Sequence, residues 1–289
     1  MDIIYGIMAA FGGGILGATL GALPMFIMTG FIGFIGAAMQ MSNSNMAEMF
    51  SGDIIFGALT GPQVAFAGGV AAAAFAAHRL ELLEAGSDII TPLFKFKSTS
   101  TIIIGGVFGV IGFLATNGLA AASYPGNGVA LSVIITGGIV RLMLGHRGIA
   151  TKRSVKEREI EELRKARKEK IGFLHMDDFC MNFVIALGLG MIFSFVSLKT
   201  GVVELGFYFS AASLVLLQFG YSIPLTHHIT LTCSIAAAAT GSIWIGIIFA
   251  VIAWFIGDLW EKYVNARDDT WWDTPSASIA ICSLIMLLL

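Results

Sequence analysis

Long apolar runs, each closed by a short polar or glycine-containing break, cover most of this chain. They occupy residues 3–23, 24–41, 61–77, 101–121 and 127–144, and again residues 179–198, 205–220, 225–240, 243–260 and 276–289. Runs of this length exceed ordinary buried strands and predict helices. The pattern therefore predicts an all-α, polytopic integral membrane protein of about ten helices, five on each side of a charged centre. Several runs are shorter than the ~20 residues a straight span requires, so a thin hydrophobic belt or broken and re-entrant helices are expected. The glycine- and proline-interrupted stretches 52–61 and 218–225 are the expected breaks.

The two halves echo one another. PQVAFAGGVAAAA at residues 62–74 slides onto HHITLTCSIAAAA at residues 227–239, which places Gln63 on His228, Gly69 on Ser234 and Ala71 to Ala74 on Ala236 to Ala239. Further along, Ile104-Gly105, Phe108 and Val110-Ile111 fall on Ile245-Gly246, Phe249 and Val251-Ile252. Pro125 falls on Pro275, and upstream Phe31 and Gln40 fall on Phe209 and Gln218. Matches kept in one order along two apolar halves are the signature of a duplicated membrane protein, whose substrate site usually lies where the halves meet. The expected division is membrane repeat 1 over residues 1–145, a basic linker helix over 146–176 and membrane repeat 2 over 177–289.

Composition sharpens the class. The chain has 289 residues, 56% of them hydrophobic and 12% charged, with a mean hydropathy of +0.84, which excludes an ordinary soluble domain and gives no sign of nucleic-acid binding. Its 35 glycines suit helices that approach closely through small residues. Cys180, Cys233 and Cys282 lie in apolar runs, against a disulfide framework. No basic residue precedes the first apolar run, so the first helix is expected to begin almost at Met1 rather than to be a cleaved signal.

Charge is concentrated in residues 146–176, which hold most of the lysines and arginines. Ser154 with Glu157 reads as a capping box and Glu161 with Lys165 as an i,i+4 pair, predicting a solvated helix over about residues 155–170. The stretch 152–170 reads as a topology determinant or as a site for anionic lipid. The positive-inside rule makes it cytoplasmic, which leaves both termini outside the cell membrane and makes the repeats inverted, five plus five.

No HExxH, GxSxG, Walker A or CxxC motif occurs, so no catalytic residue, metal ligand or cofactor is assigned and the chain is read as a non-enzyme. The glycines at 12–14 and 105–106 read as packing glycines inside helices. Carboxylates fall at segment ends, which points away from carboxylate-based proton coupling and toward a channel, a carrier using histidines, or a sodium site of backbone carbonyls. His227 and His228 open a helix after Pro224, as Gln63 opens one after Pro62; the positive helix ends beside them suit a small polar solute. The competing reading puts both histidines at the cytoplasmic interface. Thr226 and Thr230 add hydroxyls that serve either a site or a local carbonyl, and Gln40 and Gln218 align near the ends of their helices. These seven residues, Gln63, His227, His228, Thr226, Thr230, Gln40 and Gln218, form the expected pore or binding set. Trp260, Trp271 and Trp272 read as an interfacial belt, and Asp273 as the cap of the last helix.

GPQVAFAGG at residues 61–69, THHITL at 226–231 and WWDTPSASIA at 271–280 resemble an uncharacterised prokaryotic family of permease-like membrane proteins, over most of the chain. The resemblance implies no substrate. In architecture, five-plus-five inverted repeats are similar to urea and ammonium channels and to amino-acid symporters, whose motifs the chain lacks. The expectation is an inner-membrane transporter or channel for a small polar solute or ion, assembled as a homo-oligomer. The alternative is a membrane scaffold or partner subunit acting through the basic helix; a further one is a membrane-embedded enzyme using His227 or His228.

Overall fold

A computed structural model describes residues 3–146, 179–265 and 269–289. The expected basic helix, with its lipid site over 152–170, falls outside the described residues. Each of the ten apolar runs forms a helix. In the first half these are α1 (Ile3–Leu20), α2 (Ala22–Met41), α3 (Ala67–His78), α4 (Thr99–Ala121) and α5 (Gly128–Met143). In the second they are α6 (Phe179–Thr200), α7 (Leu205–Ser213, continued by a turn over Val215–Gln218), α8 (His227–Thr240), α9 (Ile243–Tyr263) and α10 (Thr274–Ile285). Five of them, α1, α2, α4, α6 and α9, are long and apolar enough to cross a membrane.

The starts of these helices follow local chemistry. Ser98 Oγ accepts from the Thr101 amide and Ser242 Oγ from the Ile245 amide, capping α4 and α9. Asn127 and Asp273 cap α5 and α10 in the same way, through the amides of Ala130 and Ser276. Both expected breaks are present: residues 42–61 form short turns and a wide π-turn (Phe50–Ile55), and residues 219–226 are irregular. A second π-turn, Pro62–Phe66, leads into α3.

The most enclosed helices are α3 and α8, the pair singled out by the echo. Nearly every residue of α3 is buried, including Ala71 to Ala74, and so are the first eight residues of α8. The glycines and alanines of α3 let its neighbours approach closely, whereas the first turns of α8 bury polar side chains such as His227, Thr230 and Thr232. Within the first half α3 packs on α1, α4 and α5, α1 on α4, and α4 on α5; within the second, α8 packs on α6, α9 and α10, α6 on α9, and α9 on α10. The halves meet through α2 against α7 and through α5 against α10. Peripheral helices turn large apolar side chains outward, among them Met8 of α1, Ile103 of α4, Ile192 of α6 and Trp244 of α9.

Close approach depends on missing side chains. A Cβ on Gly112 of α4 would lie 1.6 Å from the Gln63 carbonyl oxygen, so the π-turn can seat against α4 only where no methyl stands. Gly112→Ala is expected to cost about 1–3 kcal/mol through overpacking, measured as a lowered thermal midpoint in detergent. Gly118→Ala on the same helix, where nothing lies within 4 Å, should leave that midpoint unchanged. Equal midpoints in the two variants would mean that the π-turn does not depend on this contact.

Candidate functional site

The irregular starts of α3 and α8 bring polar residues into the interior. At the junction of the halves lies a cavity of about 20 Å³, room for a single water. The first half contributes Leu23, Phe26, Pro62, Phe66 and Ile89; the second contributes Leu225, His227, Trp271, Asp273 and Ser276. Its walls are mostly apolar, with His227 and Asp273 as the ionisable groups. A smaller adjoining space of about 10 Å³ is bounded by Phe66, Ala67, Val70, Val133, Thr136, Gly137, Trp271 and again Asp273.

His227 is held by rings. Its imidazole centroid lies 4.5 Å from Phe26 and 5.7 Å from Phe207, edge-on to the latter, and its Nδ1 is buried without a hydrogen-bond partner. His228 points elsewhere: its Nε2 sits where a Cβ on Gly257 of α9 would come within 2.9 Å, and its Nδ1 is likewise unpartnered. Gln63 donates from Nε2 to the Phe56 carbonyl, which ties the π-turn to the preceding loop, while its Oε1 stays unpartnered. Buried polar atoms are paired in the great majority of cases, so three orphans at the starts of two helices mark this region out. Of the aligned residues, Pro62 and His227 line the cavity, whereas Gln63 and His228 lie one position further along their helices.

The remaining expected residues separate. Thr226 Oγ1 donates to Ser210 Oγ at 3.0 Å, Ser210 meets Thr230 Oγ1 at 3.2 Å, and Thr230 donates to the His227 carbonyl at 3.3 Å, a buried hydroxyl chain joining α7 to α8. These hydroxyls serve helix packing. Gln40 lies 14 residues beyond Phe26 on α2, roughly 21 Å along the axis at 1.5 Å per residue, and Gln218 is exposed at the end of its turn. The structure therefore does not gather these two glutamines with the histidines.

One reading of the sequence needs correction and one gains detail. The carboxylates Asp258, Glu261 and Asp273 lie near segment ends and are nevertheless buried. Asp273 accepts from Trp271 Nε1 through Oδ1 and from the Ser276 amide through Oδ2, both at 2.9 Å. Glu261 Oε2 accepts from Thr274 Oγ1 at 2.6 Å and from Asn265 Nδ2 at 2.7 Å. Trp271 is not part of an interfacial belt. It is 1% exposed and forms a cavity wall, while Trp260 and Trp272 donate to the carbonyls of Trp272 and Ile134. Hydropathy alone cannot find these residues, because the segment from 269 to 273 folds back over the ends of α3 and α5. The one sequence signal was Asp273 as a cap, which also places its carboxylate inside.

A family model described as a family of unknown function (DUF7973) matches residues 2–157 and 175–289. No curated protein and no solved structure matches the chain.

Proposed function

The chain belongs to that family of unknown function, and from this premise we propose that it is a multi-pass transporter for a small polar solute or ion, built from two inverted five-helix repeats. Five long apolar helices and the outward apolar side chains support a membrane setting. The packing supports the repeat: pairing α1 to α5 with α6 to α10 in order, every contact named within one half has its counterpart in the other, and the two contacts between halves join equivalent helices. Atomic detail agrees. A Cβ on Gly105 would meet Ala18 at 2.6 Å and the Gly68 carbonyl oxygen at 3.4 Å, while one on Gly246, its aligned partner, would meet Ser194 at 2.1 Å and the Cys233 carbonyl oxygen at 2.8 Å.

What carries the transport reading is the cavity itself. In an inverted arrangement α3 is entered from one face of the membrane and α8 from the other, yet the aligned residues Pro62 and His227 line one chamber. Two interrupted helices that meet from opposite faces are the usual frame of a transporter site, because their free amides and positive dipole ends replace water around a polar solute. At about 20 Å³ the chamber is closed to anything larger than water, so passage requires the halves to part alternately toward each side.

The test is flux through purified protein in liposomes. Urea, glycerol, ammonium and acetate are offered by osmotic jump and followed by light scattering, with an entrapped pH dye reporting protons. At least one should cross faster than in protein-free vesicles. His227→Ala, in the wall of the chamber, should slow it by about 5- to 150-fold, the loss of one buried hydrogen bond worth ~1–3 kcal/mol, and the same fall in His228→Ala or Gln63→Ala would extend the pathway to the next position of each helix. Vesicles no leakier than protein-free ones would sink the transport reading, and wild-type flux in His227→Ala would move the pathway away from this cavity.

A further inference from the structure

We propose that His78, His146 and Asp269 form a binding site for a divalent transition-metal ion of the zinc class, at the end of the bundle where α3, α5 and the segment leading into α10 meet. One ligand atom from each residue lies within 4.8 Å of the others. His78 Nε2 is 3.7 Å from Asp269 Oδ2, and the two imidazole centroids are 4.5 Å apart. Around a tetrahedral zinc with bonds near 2.1 Å, neighbouring donor atoms stand ~3.4 Å apart. Closing the site therefore takes side-chain rotations worth about 1 Å and no refolding. Two imidazoles and a carboxylate suit zinc, whereas magnesium and calcium require more oxygen donors.

The surroundings are shaped for this ring arrangement. Gly86 leaves room beside the cluster, since a Cβ there would lie 2.4 Å from His78 Nε2 and 2.7 Å from the Asp269 carbonyl oxygen. The same glycine pairs with Thr270 in an isolated parallel bridge. The His146 amide donates to Asp269 Oδ2 at 3.1 Å, and His78 Nε2 donates to the Asp269 carbonyl at 3.1 Å, so the three residues are already held together; the His78 proton must pass to Nδ1 when Nε2 takes a metal. Arg79 Nη1 donates to His146 Nε2 at 3.4 Å and must turn away when that nitrogen takes a metal. The fourth position stays open to water or another small ligand.

Metal binding would fix Asp269 against α3, and four residues further along Asp273 stands in the cavity wall. This consequence rests on the transport reading; the site does not. The test uses protein without a histidine tag, a chromophoric zinc indicator in competition, and thermal unfolding with and without zinc. Wild type should bind one zinc per chain at this site and melt higher with it. His146→Ala and Asp269→Asn should each weaken that binding by at least ~100-fold, since losing even a group that only orients a ligand costs about 10- to 100-fold. Gly86→Ala should weaken it as well. His146 is exposed, so its alanine variant tests the ligand without emptying the core. No zinc bound by wild type would overturn the site, and so would equal affinity in His146→Ala and Asp269→Asn, which would place the metal elsewhere, as at His227 and His228. Either result leaves the flux experiment unaffected.

Discussion

Arg141→Ala is expected to destabilise the folded protein by about 3–5 kcal/mol, a loss among the largest single substitutions produce. Arg141 sits on α5 with 1% of its surface exposed. Its Nη1 donates to the Val264 carbonyl at 3.0 Å, Nη2 to the Thr270 carbonyl at 3.2 Å and Nε to Thr270 Oγ1 at 3.3 Å. The guanidinium also lies 4.9 Å over the Trp272 ring. One cation thus pins Val264, at the end of α9, and Thr270 against the first half. Alanine would leave these acceptors buried with nothing in place of the guanidinium, and hydrogen bonds from a charged donor are worth roughly 1.5–3 kcal/mol each before non-additivity is allowed for. Lysine should not rescue, because a single ammonium cannot reproduce a planar fork aimed at three acceptors. Thermal unfolding of Arg141→Ala and Arg141→Lys in detergent reads this directly. A lysine variant that melts with wild type would show that charge, and not the fork, holds the halves together.

Asp273→Ala is expected to combine a stability loss of about 2 kcal/mol with loss of transport. Part of the stability term is the cap: Oδ2 accepts the Ser276 amide at the start of α10, an interaction typically worth ~1 kcal/mol. The rest follows from Trp271 Nε1, buried and bonded to Oδ1, which alanine would strand. Asparagine separates the two effects. Its amide keeps one oxygen that can cap α10 or meet the indole, so Asp273→Asn should fold within about 1 kcal/mol of wild type. It removes the ionisable carboxylate from the cavity wall shared with His227, so flux should fall with the fold intact. Paired melting curves and liposome flux make the comparison. Undiminished flux in Asp273→Asn would take the carboxylate out of the pathway and leave it a helix cap.

The two substitutions act on residues 264–265 and 269–273, which the sequence describes least well. Read as sequence, DDTWWDTP is a polar connector with aromatic anchors, of the kind found where helices leave a membrane. In the structure residues 269–273 fold inward, bonded to Arg141 from the first half and bridged to Gly86 through Thr270. Nothing in local composition distinguishes a polar turn that meets water from one that meets another part of the protein. The difference lies in the partner, which is 129 residues away in the case of Arg141 and Thr270.

The sequence by itself determined the helices, their order and the cap of the last one at Asp273. Apolar runs bounded by glycine, proline and capping residues can satisfy their backbone groups only as helices, and that requirement is local. It also singled out α3 and α8, through the match of Ala71 to Ala74 with Ala236 to Ala239, while their enclosure came from the packing. Tertiary structure decided the chemistry. It chose Pro62 and His227 rather than Gln63 and His228 to line the cavity, because the turn at each helix start sets which side chain faces the other half. It buried Asp273, Glu261 and Trp271, and it brought His78, His146 and Asp269 to one point. Burial and convergence depend on which segments cover one another, and that is a property of the packed whole rather than of any window of the chain.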